Sequence, residues 1–109
     1  MKRLFLDCEF NGLGGELLSM ALVGDDGKEW YEVLEPAHAF NSWVKENVVP
    51  KFEKAPIVRV NFLRSFCDFI VQFDGAEIIA DWPADFEHLS KAMTDIGAQE
   101  SFVIPIECT

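Results

Sequence analysis

Residues 3–10, Arg-Leu-Phe-Leu-Asp-Cys-Glu-Phe, read as a β-strand that is apolar on both faces until Asp7. Such a segment is expected at the centre of a sheet, buried on both sides. Successive strand side chains alternate faces, so Asp7 and Glu9 share one face, their Cα atoms roughly 6 to 7 Å apart. Leu4, Leu6, Cys8 and Phe10 take the other face. Two carboxylates placed in this way repel each other unless a cation lies between them. Hard oxygen ligands of this kind suit Mg²⁺ or Mn²⁺. The spacing leaves a plainer alternative open, in which the strand ends at solvent and the acids are surface groups.

The rest of the chain supplies partners for that strand. Asn11-Gly12-Leu13-Gly14-Gly15 reads as a turn, residues 16–24 as a second strand, and Asp25-Asp26-Gly27 as a tight hairpin turn into a third strand over 28–35. Pro36 breaks the pattern. A short helix is expected near 40–48, with Asn41 or Ser42 at its start. Pro50 and Pro56 bracket a basic link. A longer helix over 59–73 repeats Phe62, Leu63, Phe66, Phe69, Ile70 and Phe73 at steps of three and four. Residues 76–80 form a fourth strand. A helix runs from about Asp85 to Ile96, buried along Phe86, Leu89, Met93 and Ile96 and capped by Gly97. Residues 101–106 read as a fifth, edge strand, because Pro105 cannot donate to a ladder. The order β-β-β-α-α-β-α-β predicts an α/β domain: a three-stranded antiparallel meander, then alternating helices and strands.

A length of 109 residues points to one domain, 1–109. With 19 acidic and 9 basic residues the net charge is −10, which argues against binding duplex DNA through a broad basic surface. It leaves room for an enzyme that grips a strand end through divalent cations. Cys8, Cys67 and Cys108 are far apart and odd in number, which reads as reduced thiols in a cytoplasmic protein. Met1-Lys2-Arg3 leads into only a short apolar run before Asp7, unlike a secretory leader. No stretch approaches the ~18 apolar residues of a membrane span.

Asp85 stands at the head of a helix directly after a strand, where free N–H groups and partial positive charge gather. Taken alone, an ordinary capping role is the commoner explanation of such a residue. Taken together, Leu6-Asp7-Cys8-Glu9-Phe10 and Asp81-Trp82-Pro83-Ala84-Asp85-Phe86-Glu87-His88-Leu89 resemble the first two motifs of the DEDD family of 3'-5' exonucleases, which have an RNase H-like fold. Asp85 matches the catalytic position, and Asp81 stands where many relatives have Asn. The hairpin Gly24–Tyr31 and the segments Asn41–Lys45 and Val48–Lys51 resemble a small bacterial and phage branch described as exoribonuclease-like.

The resemblance implies a metal-dependent 3'-5' exonuclease, with RNA ahead of DNA as substrate, that releases nucleoside monophosphates. Asp7, Glu9 and Asp85 would be its catalytic, metal-binding carboxylates. Two ions, Mg²⁺ or Mn²⁺, are expected ~3.5 to 4 Å apart. The partners would be single-stranded RNA or DNA 3' ends. Phe10 and Trp82 are the nearest aromatic residues on which a terminal base could stack, although core packing is the commoner reading of both. Lys51, Lys54, Arg59 and Arg64 form the one basic concentration; a phosphate backbone could face it, but a solvated surface is the commoner reading.

The family's third motif, a His or Tyr followed by Asp on a later helix, has no counterpart before Thr109. His88 lies inside the second-motif helix and does not substitute. The expectation is therefore an RNase H-like domain incomplete at its C-terminus: a fragment, or a shortened relative with impaired chemistry. Its uncovered apolar surface would invite homo-oligomers. Two rivals stay open: a non-catalytic module of this fold that binds RNA or a protein, and a structural protein whose acids are incidental. A Cys8 nucleophile is a poorer reading, because Cys8 faces away from the acids.

Overall fold

The computed structural model describes residues 2–11, 15–36, 39–40, 42–73 and 75–96. Among these residues four strands form one sheet in the order β3-β2-β1-β4: β1 (Arg3–Phe10), β2 (Leu17–Gly24), β3 (Glu29–Val33) and β4 (Glu77–Ala80). The first three are antiparallel neighbours, and β4 runs parallel to β1 with Leu6 opposite Ala80. Among the described residues three α-helices accompany them: α1 (Ser42–Asn47), α2 (Arg59–Ile70) and α3 (Pro83–Ile96). This open, mixed α/β arrangement is the expected fold class and is compatible with an RNase H-like fold. The expected strand over 101–106 lies outside the described residues.

Local chemistry explains the element ends. The hairpin between β2 and β3 closes when the Gly27 N–H donates to Gly24 O (3.0 Å) and the Lys28 N–H to Asp26 Oδ1 (3.0 Å). Gly27 takes φ +88°, a region that a side chain would strain. The α2 segment is helical to Ile70, then tightens into a 3-10 turn over Val71–Phe73. The last helix begins at Pro83 rather than Asp85. Proline suits a first helical position, where its missing N–H costs nothing. Asp85 therefore sits within the first turn.

Most of the core lies on one face of the sheet. Phe62, Phe66, Phe69 and Ile70 of α2, together with Leu89, Ala92 and Met93 of α3, pack on Leu4, Leu6, Cys8, Met20 and Leu22. Trp30 meets Phe62 and Phe66 edge-on, each at 5.5 Å between centroids. Its indole N–H donates to Ser65 Oγ (2.9 Å), and that hydroxyl donates to Glu32 (2.8 Å). On the opposite face, α1 packs Val44 and Val48 on Leu18.

The expectation that β1 is buried on both faces does not hold. Its burial alternates strictly, and Phe5 is 45% exposed on the same side as Arg3, Asp7 and Glu9. Among the described residues α2 and α3 cover only the other face, while α1 reaches only the Leu18 end. The strand is central in its pairing but half-open in its packing, and that opening brings Asp7 and Glu9 to the surface.

Candidate active site

The site is built on the C-terminal half of β1. Strand alternation brings Asp7 and Glu9 to the open face, as expected. The parallel pairing ends at Leu6–Ala80, and the next residue after β4, Asp81, comes close enough for its charge to act on Asp7. Trp82 and Pro83 then turn the chain into α3, whose first turn carries Asp85 back beside Cys8. There the Cys8 thiol donates to the Asp85 main-chain carbonyl at 4.0 Å.

Asp85 is only 2% exposed, and its Oδ1 has no hydrogen-bond partner. Burial, then the charges of Asp7, Glu9 and Asp81, push its carboxyl up to about 6, opposed by a main-chain hydrogen bond at Cys8. Burial and Asp81 raise Asp7 as well. Burial and Asp7 raise Glu9, and the Lys51 ammonium pulls it back down. The structure thus brings together the three carboxylates that the sequence pattern singled out. It adds Asp81, which pattern alone ranks second, as a fourth charge acting on both Asp7 and Asp85.

Two open clefts, each ≈ 390 Å³, flank Asp7 and Glu9. One runs between the sheet and α1, lined by Ser19, Tyr31, Trp43 and Lys51. Burial raises the Tyr31 hydroxyl, which accepts hydrogen bonds from the Glu53 main chain and the Ser19 side chain. The other cleft is more apolar and holds Phe10, Trp43, Val48 and Trp82. Trp43 and Trp82 are each 66% exposed. Phe10 is partly buried, its ring 5.4 Å from that of His88.

Trp43 is the residue that sequence reasoning missed. Its place depends on a β-bulge in the β1–β2 ladder, where Glu9 pairs with Ser19 but Phe10 with Leu17. The extra residue, Leu18, is thrown to the open face and becomes the seat of α1. Of the basic residues noted in sequence, Lys51 borders the carboxylates. Lys54 is paired with Glu32 (3.0 Å) and Arg59 with Asp95 (2.6 Å).

Among the described residues, no group of three or more His, Cys, Asp or Glu side chains could hold a metal ion as placed. The donor set nevertheless fits a hard divalent cation in kind. The oxygens are carboxylates that raise one another's pKa, and one of them is buried without a partner. An uncompensated buried charge is costly, and a cation is the simplest group that would offset it.

Cys8 shows none of the marks of a nucleophile. Burial and the surrounding carboxylates push its thiol well up, which suppresses the reactive thiolate. Iodoacetamide at about pH 8 is expected to leave Cys8 unmodified in the folded protein and to alkylate it after denaturation, as read by peptide mass mapping. Rapid alkylation of the native chain at Cys8 would contradict this burial.

Among the described residues no helix is long and apolar enough to cross a membrane. No family model matches the chain, and no curated protein matches it. One solved structure that it resembles is the family B DNA polymerase from the hyperthermophilic archaeon Pyrobaculum calidifontis, at 20% identity and a TM-score of 0.49. That similarity covers 89% of this chain and 11% of the polymerase chain.

Proposed function

We propose that this chain is a metal-dependent nuclease domain that shortens single-stranded nucleic acid from its 3' end, RNA ahead of DNA. The observation that carries the reading is the buried, unpartnered Oδ1 of Asp85 held beside Asp7, Glu9 and Asp81. The two motifs that resemble the DEDD exonucleases support it, since they end on these same elements.

Asp7, Glu9 and Asp85 would hold the divalent ions, Mg²⁺ or Mn²⁺. Once bound, such ions would activate water and stabilise a leaving 3' oxygen. The chain's own residues shape the rest. Glu9, on the open face, would orient a terminal hydroxyl, the role that the family resemblance gives it. Phe10 and Trp82 line the apolar cleft beside it, where a terminal base would stack.

A 3'-labelled single-stranded RNA and its DNA counterpart, incubated with Mn²⁺, test the proposal. The expected result is stepwise 3' shortening that EDTA stops and that Asp7→Ala abolishes. Intact substrate with a folded, metal-loaded sample would overturn the catalytic reading. Metal-dependent binding without cleavage would favour a non-catalytic module of the same fold.

A further inference from the structure

We infer that the cleft between α1 and the sheet is a second nucleotide subsite, with the Trp43 indole as its base platform and Lys51 as its phosphate contact. This rests on the nucleic-acid reading above and adds a location that the motifs do not supply. The two clefts are equal in size at ≈ 390 Å³ each and share Asp7, Glu9, Trp43 and Val48 in their linings. That volume is ample for a small ligand, since ligand sites run from roughly 300 to 1,000 Å³. A strand crossing the carboxylates would therefore occupy one cleft with the terminal nucleotide and the other with its neighbour.

The chemistry of the α1 cleft suits a nucleotide rather than an apolar peptide. Trp43 projects an indole that is 66% exposed, against the burial usual for so large an apolar side chain. It stands at the junction of both clefts, so its faces are available to a base. Lys51, at the end of the 3-10 turn Val49–Lys51, lines the same cleft as Glu9. In a chain of net charge −10, a cation beside the carboxylates is where a phosphate would be drawn. Buried Ser19 and the Tyr31 hydroxyl supply polar groups at the floor.

Fluorescence anisotropy of a 5'-labelled six-nucleotide strand, RNA and DNA in turn, tests this in Ca²⁺ and over a salt series. Trp43→Ala is expected to weaken binding about 5- to 150-fold, as loss of one base–aromatic stack does, and Trp43→Phe to restore most of it. Lys51→Ala is expected to weaken binding and lower the log–log salt slope by about 0.7, the share of one phosphate on a single strand. Trp43→Ala should leave that slope unchanged. Both positions are exposed, so the fold is expected to survive, checked by melting. An unchanged slope in Lys51→Ala, or affinity within about twofold in Trp43→Ala, would overturn the subsite. So would a wild-type chain that does not bind the strand. Wild-type binding without Mn²⁺-dependent cleavage would remove the nuclease reading and leave the subsite standing. Cleavage whose KM ignores both residues would do the reverse.

Discussion

Asp85→Asn is expected to melt higher than the wild type at about pH 7.5 and to lose 3' shortening by roughly 10² to 10³-fold. The two effects share one cause. The folded pKa of Asp85 is raised from 3.8 to about 6. Its folded state therefore holds a proton that the unfolded chain gives up. Below the unfolded value both states are protonated and there is no penalty. As pH rises through the folded value the penalty becomes complete, about 3 kcal/mol at ~1.4 kcal/mol per pKa unit. Asparagine imitates the protonated acid, so the variant should gain a melting temperature increase on the order of 10 °C at neutral pH, only a small part of it near about pH 4 and almost none near about pH 3. Adding Mn²⁺ should raise the melting temperature of the wild type by mass action and leave that of Asp85→Asn nearly unmoved. Thermal melts at these pH values, with and without metal, check all of this. A variant less stable than the wild type at neutral pH would mean that the carboxylate already has a favourable partner, and the metal reading would lose its main support.

Some of the site was legible in the sequence and some was not, and the difference is physical. Asp7 and Glu9 share a face because strand geometry has a fixed period of two. Asp85 was legible because a strand, a short loop with a proline and an amphipathic helix leave it little choice of position. The parallel pairing of β4 with β1, which draws Asp81 beside Asp7, comes from tertiary packing and no local pattern contains it. The same holds for Trp43. Its helix is short, and its seat on Leu18 depends on a one-residue register shift opposite Glu9 and Phe10. Apolarity misled at Phe5, since a half-open central strand and a fully buried one read alike until the covering helices are placed.

Phe66→Ala, by contrast, is expected to remove about 3 to 5 kcal/mol of stability, the usual result of emptying a buried aromatic position. Phe66 is fully buried and meets Trp30 edge-on at 5.5 Å, 60° between planes. Its loss therefore opens a cavity and breaks an aromatic pair on the face that α2 covers. A chain this size has roughly 5 to 15 kcal/mol in all, so the variant should lie close to unfolding at 37 °C or slightly above. Urea melts would show a lower midpoint with an unchanged slope if only the native packing is lost. Phe5→Ala makes the telling comparison, because Phe5 lies on the same strand but opens to the other face, 45% exposed. There the expected change is within about 0.5 kcal/mol. Such a pair of results would mean that the side-chain packing on β1 comes from the α2 and α3 face, leaving its carboxylate face free for substrate without cost to the fold. A comparable loss at Phe5 would mean that this face is covered in solution, and a strand end could then reach Asp7 and Glu9 only from the α1 side.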